Sequence, residues 1–256
     1  MKKYEGYLID LDGTMYRGTE SIEGAAEFVD ELFTHGIPYL FVTNNSSKKQ
    51  EDVSNKLNSM GIKSTPEQVV TTSVATANYI RSKKEGARCF VIGEEGLHHA
   101  LAASGLTITE ESIDFVVMGI DRQVTYEKFA KACLAVRDGA SFISTNSDIA
   151  IPTERGLLPG NGSLTSVVTV STGQKPIFIG KPEAVIMKEA LNILGLSQEN
   201  TLMVGDNYNT DIKAGINAGM DTLMVFTGVT SFRELENLET KPTYAVHSLR
   251  EWIPYI

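Results

Sequence analysis

Short apolar runs alternate with stretches of helical period along most of this chain. The first run opens at Tyr7 and ends in Asp10-Leu11-Asp12-Gly13-Thr14. A polar, turn-rich loop over 13–21 follows, and Ile22, Ala25, Ala26, Val29, Leu32 and Phe33 then mark one helix face, stopped by Gly36 and Pro38. Tyr39–Thr43 reads as a second buried strand, running into the small polar cluster Asn44-Asn45-Ser46-Ser47. Ser47 is placed to cap a helix carrying Val53, Leu57 and Met60. A short strand over 68–71 and a helix over 73–82 complete this part.

After the charged stretch 83–87 a second alternating set begins. The pattern predicts strands over 88–92, 115–118 and 141–144, and helices over 94–103 and 125–137, the latter with Phe129, Cys133 and Val136 inward. A long polar loop over 146–159 leads to a helix over 162–171, and 172–176 reads as the return crossing. The first pattern then resumes with the apolar Ile177-Phe178-Ile179, the turn Gly180-Lys181-Pro182, and a helix carrying Val185, Ile186, Ala190, Leu191 and Leu194. A strand over 201–204 runs into Gly205-Asp206-Asn207, Asp211 opens a helix ending near Gly219, and strands over 221–225 and 244–246 close the set.

Strand and helix in alternation imply an α/β fold, a doubly wound and mainly parallel sheet with helices on both faces. The expected division is a core of 1–82 and 177–256, interrupted by a smaller inserted α/β domain over 83–176. Asp10, Asp12, Thr43, Lys181 and Asp206 all fall just after apolar strands, where open α/β sheets place their ligands.

The net charge of -9 disfavours nucleic acid and anionic lipid as main partners, and makes any phosphate site depend on local cations. Cys89 and Cys133 lack metal-ligand spacing and read as buried free thiols in a reducing compartment. No apolar run reaches the length of a membrane span, and Asp10 and Asp12 interrupt the stretch after Lys2 and Lys3, so neither an anchor nor a signal peptide is expected. A cytoplasmic protein is the expectation.

Two close carboxylates repel, and call for a cation or a shared proton. Hydrolysis of a phosphate monoester supplies a use for both, since nucleophile and phosphate are anionic and a divalent metal relieves their repulsion. Mg²⁺ takes hard oxygen ligands, and Asp10 and Asp206 are the carboxylate candidates. Asp10 can attack phosphorus to give an aspartyl-phosphate, and Asp12 can move the proton. Thr43, with Asn44 and nearby main-chain N–H groups, can hold phosphate oxygens, Lys181 can supply positive charge, and Asp211 can hold Lys181 or a metal-bound water.

These residues carry a resemblance. Asp10-Leu11-Asp12-Gly13-Thr14 is similar to the DxDGT motif of the haloacid dehalogenase-like (HAD) superfamily. Thr43 matches its second motif, Gly180-Lys181-Pro182 its third, and Gly205-Asp206 through Asp211 its acidic fourth. The insertion resembles a type C2 cap. Residues 39–46, the stretch ending in Leu158-Pro159-Gly160-Asn161-Gly162, and Gly180-Lys181-Pro182 together resemble subfamily IIA, the NagD-like and para-nitrophenyl phosphatase group. The resemblance spans essentially the whole chain. It implies a HAD Rossmann-like core and a Mg²⁺-dependent phosphatase of small soluble esters: nucleotide, sugar, glycerol or aryl phosphates.

By the same resemblance Asp10 is nucleophile and metal ligand, and Asp12 is acid/base and binds metal through its main-chain carbonyl. Asp206 is the other carboxylate ligand, while Thr43 and Lys181 hold the transferring phosphate. Relatives with such caps often pair through them, which makes a homo-oligomer a candidate state. Asn146 and Asp148, in the loop after the strand 141–144, are candidates to face the substrate, or else to cap a turn. Asp211 has a cap as its alternative role, and Gly160 and Gly162 a turn into a helix. Two other activities fit the same residues: a phosphate-ligand sensor on an enzyme scaffold, which would not need Asp12 as proton donor, and a phosphomutase.

Overall fold

The computed structural model describes residues 2–256. Its chain divides into two compact units. Among the described residues one comprises 2–43, 50–70 and 181–256, the other Asn44–Lys49 and Thr71–Gly180.

The first unit is built on six parallel strands. Their order across the sheet is Tyr244–Val246, Asp221–Val225, Thr201–Gly205, Gly6–Ile9, Tyr39–Thr43 and Val69–Thr71, the last of which crosses out of the unit at its final residue. Numbered along the chain, this is the 3-2-1-4-5-6 order of a doubly wound sheet. All four residues of Gly6–Ile9 and all five of Tyr39–Thr43 are buried, as expected of strands covered on both faces. Register is direct, with Ile9 level with Phe41 on one side and Val204 on the other.

One face receives the helix Ala25–Thr34 through Phe28, Val29 and Leu32, together with Leu57, Leu249 and Trp252. Phe28 meets Tyr7 edge-on at 5.7 Å, and the Trp252 indole N–H donates to the Tyr7 hydroxyl at 3.3 Å. On the other face Gly215 lies so close to Met203 and Thr222 that a Cβ there would meet Thr222 at 2.5 Å, which fixes the short helix Lys213–Asn217 against the sheet.

The chain reverses direction across the sheet between Gly6–Ile9 and Thr201–Gly205. Ligands of open α/β sheets bind beyond the carboxyl ends of strands at such a point. Asp10 and Asp206 are the first residues beyond those two ends.

The second unit carries its own parallel sheet, in the order Ile177–Phe178, Ser141–Ser144, Phe115–Met118, Arg88–Ile92 and Thr107–Ile108. Its core packs Phe90, Ile92, Val116, Met118 and Phe142 against Ala132, Val136 and Val168 of the helices Tyr126–Arg137 and Asn161–Thr172. Both cysteines are buried and free.

The α/β class and the parallel sheets agree with the sequence reading, and several local expectations are corrected. Ile177–Phe178 pairs with Ile143 and Ser144, so this strand belongs to the second unit's sheet and not to the core. The helix Thr72–Lys83 also belongs to the second unit, where it packs on the helix Glu95–Ala103. The expected loop over 146–159 contains an antiparallel hairpin, Ala150–Thr153 with Gly156–Pro159, turned by the left-handed Gly156. Within the expected loop 13–21, Tyr16–Arg17 pairs with Glu20–Ser21. The helix after Lys181 starts at Ala184, beyond a cis Lys181–Pro182 bond.

Candidate active site

The strand Gly6–Ile9 stops one residue before Asp10, whose main-chain N–H still donates to the Val204 carbonyl at 2.9 Å. The two aspartates of the opening motif therefore lie in the turn after the strand, and their settings differ. Asp10 is buried, whereas the Asp12 side chain reaches solvent. The turn tightens at Gly13, which has φ +93°, a left-handed conformation suited to glycine. A Cβ there would come within 2.5 Å of Asp206 Oδ2.

Thr201–Gly205 delivers Asp206, and a π-helical turn, Tyr208–Ile212, brings Asp211 back beside it. Asp211 is held by the Asn207 N–H at 3.0 Å. Gly205 makes this return possible, since a Cβ on it would sit 2.3 Å from that of Asp211. Asp10, Asp206 and Asp211 thus form a buried group whose ligand atoms all lie within 4.8 Å of one another.

Lys181 enters the same group and is only 2% exposed. Its Nζ meets Asp10 Oδ1 at 2.5 Å and Asp211 Oδ1 at 2.8 Å, and donates to the Val42 carbonyl at 3.0 Å. Val42 precedes Thr43, which is buried at the end of its strand. The Thr14 hydroxyl lies between two carboxylates, 3.2 Å from Asp10 Oδ2 and 3.1 Å from Asp206 Oδ1. The Val229 N–H donates to Asp206 Oδ2 at 2.7 Å.

The electrostatics follow from burial and like charge. Loss of water raises the Asp10 carboxyl well above the usual range; Asp211 and Asp206 push it further and Lys181 opposes them. Asp206 is raised by the same loss of water and by Asp211. Burial works against the Lys181 ammonium, but Asp10 and Asp211 outweigh it and hold the charge in place. With all three carboxylates ionised, as a bound cation would favour, Lys181 offsets one charge and leaves two. An all-oxygen donor set with that excess suits a hard divalent cation, so these residues fit the Mg²⁺ that the sequence implies.

Asp12 stands apart from the carboxylate group. Its Oδ2 accepts from the Tyr16 hydroxyl at 3.3 Å, and Lys56 lies 3.5 Å over the Tyr16 ring. Crowding by protein raises its carboxyl, against the pull of Lys56, Tyr16 and Lys181.

The first unit therefore brings together Asp10, Lys181, Asp206 and Asp211, with Thr43 next in sequence to the Val42 carbonyl that Lys181 reaches and Asp12 at the edge of the same turn as Asp10. Asp211, expected to hold Lys181 or a metal-bound water, pairs directly with Lys181 and also lies within the carboxylate group. Asn44, Asn146 and Asp148 all belong to the second unit. There the Asn44 amide donates to Asp148 Oδ2 at 3.3 Å and the Asn146 amide donates to the Asn44 carbonyl at 2.9 Å. The sequence reading gave no role to Thr14, Tyr16, Lys56 or Val229. Thr14 was findable as a hydroxyl in the same turn as Asp10, while the other three reach the site from segments with no local signal.

Residues 7–107 match the family model of haloacid dehalogenase-like hydrolases, and residues 178–252 match a HAD-hydrolase-like model. The chain is 64% identical to the 5'-nucleotidase YutF of Bacillus subtilis over 256 residues, the whole of both proteins. It is 57% identical to an acid sugar phosphatase of Staphylococcus haemolyticus, over 97% of this chain and 95% of that one. Among solved structures, a p-nitrophenyl phosphatase from Archaeoglobus fulgidus superposes with TM-score 0.94 at 33% identity, covering 100% of both chains. NagD from E. coli K-12 gives TM-score 0.92 at 34% identity, covering 98% of each.

Proposed function

The chain belongs to the haloacid dehalogenase-like hydrolases and is a phosphoric monoester hydrolase, and from that premise we propose that it is a Mg²⁺-dependent phosphatase of small soluble phosphate esters working through an aspartyl-phosphate on Asp10. The observation that carries this reading is the buried group of Asp10, Asp206 and Asp211 around Lys181, with its excess of negative charge.

In the first step an Asp10 carboxylate oxygen attacks phosphorus. The bond from phosphorus to the leaving oxygen breaks, and Asp12 gives that oxygen a proton. In the second step Asp12 takes a proton from water as the water attacks the phosphorus of the aspartyl-phosphate. The bond to Asp10 breaks, phosphate leaves, and both aspartates return to their starting states. The settings of the two suit these roles: Asp10 is buried and held at Oδ1 by Lys181, while Asp12 has access to solvent and a raised carboxyl.

Lys181 and Thr43 would bind the transferring phosphoryl oxygens, and Asp211 would hold Lys181 against Asp10. Asp10, Asp206 and the Asp12 carbonyl would hold Mg²⁺, which supplies positive charge between the carboxylates and the phosphate. The names of the relatives support nucleoside 5'-monophosphates, sugar phosphates and aryl phosphates as the esters to test. A cytoplasmic setting belongs to the same proposal, and two buried free thiols suit it.

Phosphate release from such a panel, with Mg²⁺ and with chelator, is the test. Release is expected only with metal. Asp10→Asn is expected to lower turnover at least about a thousandfold with an unchanged circular dichroism spectrum, because it removes the attacking oxygen. A variant that keeps near-normal rates would assign the nucleophile elsewhere.

A further inference from the structure

The two phosphate-binding candidates each adjoin a residue of the second unit. Asn44 follows Thr43, and Gly180 precedes Lys181. Within the second unit both neighbours are tied to one buried dipeptide, Thr145-Asn146. The Asn146 Nδ2 donates to the Asn44 carbonyl at 2.9 Å, and the Gly180 N–H donates to the Thr145 carbonyl at 2.8 Å. The Thr72 hydroxyl lies 3.0 Å from the Asn44 carbonyl and 3.1 Å from that of Asn45.

The packing leaves no slack. A Cβ on Gly180 would meet Asn44 Oδ1 at 2.6 Å and the Thr145 carbonyl and Thr72 Cγ2 at 2.7 Å. The dipeptide is itself anchored from below. Asn161 is 1% exposed, and its Nδ2 lies 2.9 Å from the Asn146 carbonyl and from Ser144 Oγ. Glycines on either side of Asn161 let the helix start press on the loop: a Cβ on Gly160 would be 2.2 Å from the Asp148 carbonyl, and one on Gly162 2.3 Å from that of Ser147.

We infer that Asn146 is a positioning residue for phosphate binding, a clamp that holds the main chain next to Thr43 in register with the main chain next to Lys181. Its amide is committed inside the fold, since Oδ1 accepts from the Asp148 N–H at 3.2 Å while Nδ2 serves Asn44. At 5% exposure it is a buried strut rather than a group presented to a leaving group. The inference rests on the phosphatase reading of Thr43 and Lys181. It distinguishes the phosphoryl end of the substrate, common to all esters, from the end that differs among them.

The test uses the full chain with p-nitrophenyl phosphate, a nucleoside 5'-monophosphate and a hexose phosphate, together with direct binding of inorganic phosphate by calorimetry in Mg²⁺. Asn146→Ala is expected to lower kcat/KM for all three esters by one shared factor, about ten- to a hundredfold, and to weaken phosphate binding. Thr72→Val removes the other donor to the Asn44 carbonyl without changing shape, and is expected to give the same signature more mildly. Thr72→Ser restores the hydroxyl and should restore the kinetics. Thr72→Val also answers the question if Asn146→Ala does not fold. An ester-selective loss would overturn the inference, because it would make Asn146 a leaving-group contact. So would unchanged phosphate affinity per folded molecule. Wild-type protein that binds phosphate yet hydrolyses no ester would contradict the phosphatase reading alone, and the binding arm would still decide the clamp.

Discussion

One hydroxyl serves two carboxylates in this site. Thr14 has a single proton to donate, yet Asp10 Oδ2 and Asp206 Oδ1 both lie within hydrogen-bond distance of it. At any instant one of the two lacks that bond, which adds to the cost of burying them together. Thr14→Val should therefore weaken Mg²⁺ binding and lower activity about tenfold. It should also reduce stability by about 1–2 kcal/mol without metal, and by more with it, since a weaker metal site returns less stabilisation when Mg²⁺ binds. Denaturant midpoints measured with and without Mg²⁺ check this, and equal losses in both conditions would show that Thr14 does not support the metal group. Asp10, Lys181 and Asp206 of the buried group stand out in the sequence because each follows an apolar run. Thr14 stands out only as a hydroxyl near Asp10; its bridge between two carboxylates does not, nor do Tyr16 and Lys56, because a bridging hydroxyl or a ring over a lysine depends on how the turn closes. For Asn146 the sequence left two readings open, facing substrate or capping a turn, and its amide follows the second: Oδ1 accepts from the Asp148 N–H and Nδ2 donates to the Asn44 carbonyl.

At the level of elements, the acidic fourth motif owes its geometry to a glycine and an unusual helix turn. Thr201–Gly205 ends under Asp211, and the π turn Tyr208–Ile212 sets Asp211 five residues beyond Asp206 yet within the same carboxylate group. A Cβ on Gly205 would lie 2.6 Å from Asp211 Cγ. Gly205→Ala should thus displace Asp211 from Lys181, costing about 1–3 kcal/mol of stability and about a hundredfold in turnover. Thermal unfolding and steady-state rates would show both, and a variant with native rates would mean that Asp211 is dispensable. The sequence predicted the strand but read 211–219 as an ordinary helix, since apolar period does not separate a π turn from an α turn. It likewise found Ile177–Phe178 but not its sheet. Two residues of edge strand carry no mark of which partner they pair with, and only the register with Ile143 and Ser144 decides it.

For the molecule as a whole, topology converts scattered motifs into one site. The 3-2-1-4-5-6 order sets Gly6–Ile9 beside Thr201–Gly205, so residues from the two ends of the chain meet where the winding reverses. This much was legible from the alternation of elements, since alternation forces parallel strands and parallel strands align their carboxyl ends. Charge works at two ranges. The net charge of -9 disfavours anionic ligands at a distance, and the buried Lys181 supplies the positive charge where it is needed. The central claim is that Asp10, and not water, first attacks phosphorus. Asp12→Asn should slow the second step and let the intermediate accumulate. Acid quench during turnover of p-nitrophenyl phosphate, followed by borohydride reduction and peptide fragmentation, reads it directly. The account predicts homoserine at position 10 and aspartate unchanged elsewhere. An unmodified Asp10 under conditions of steady phosphate release, or a label on another residue, would contradict it.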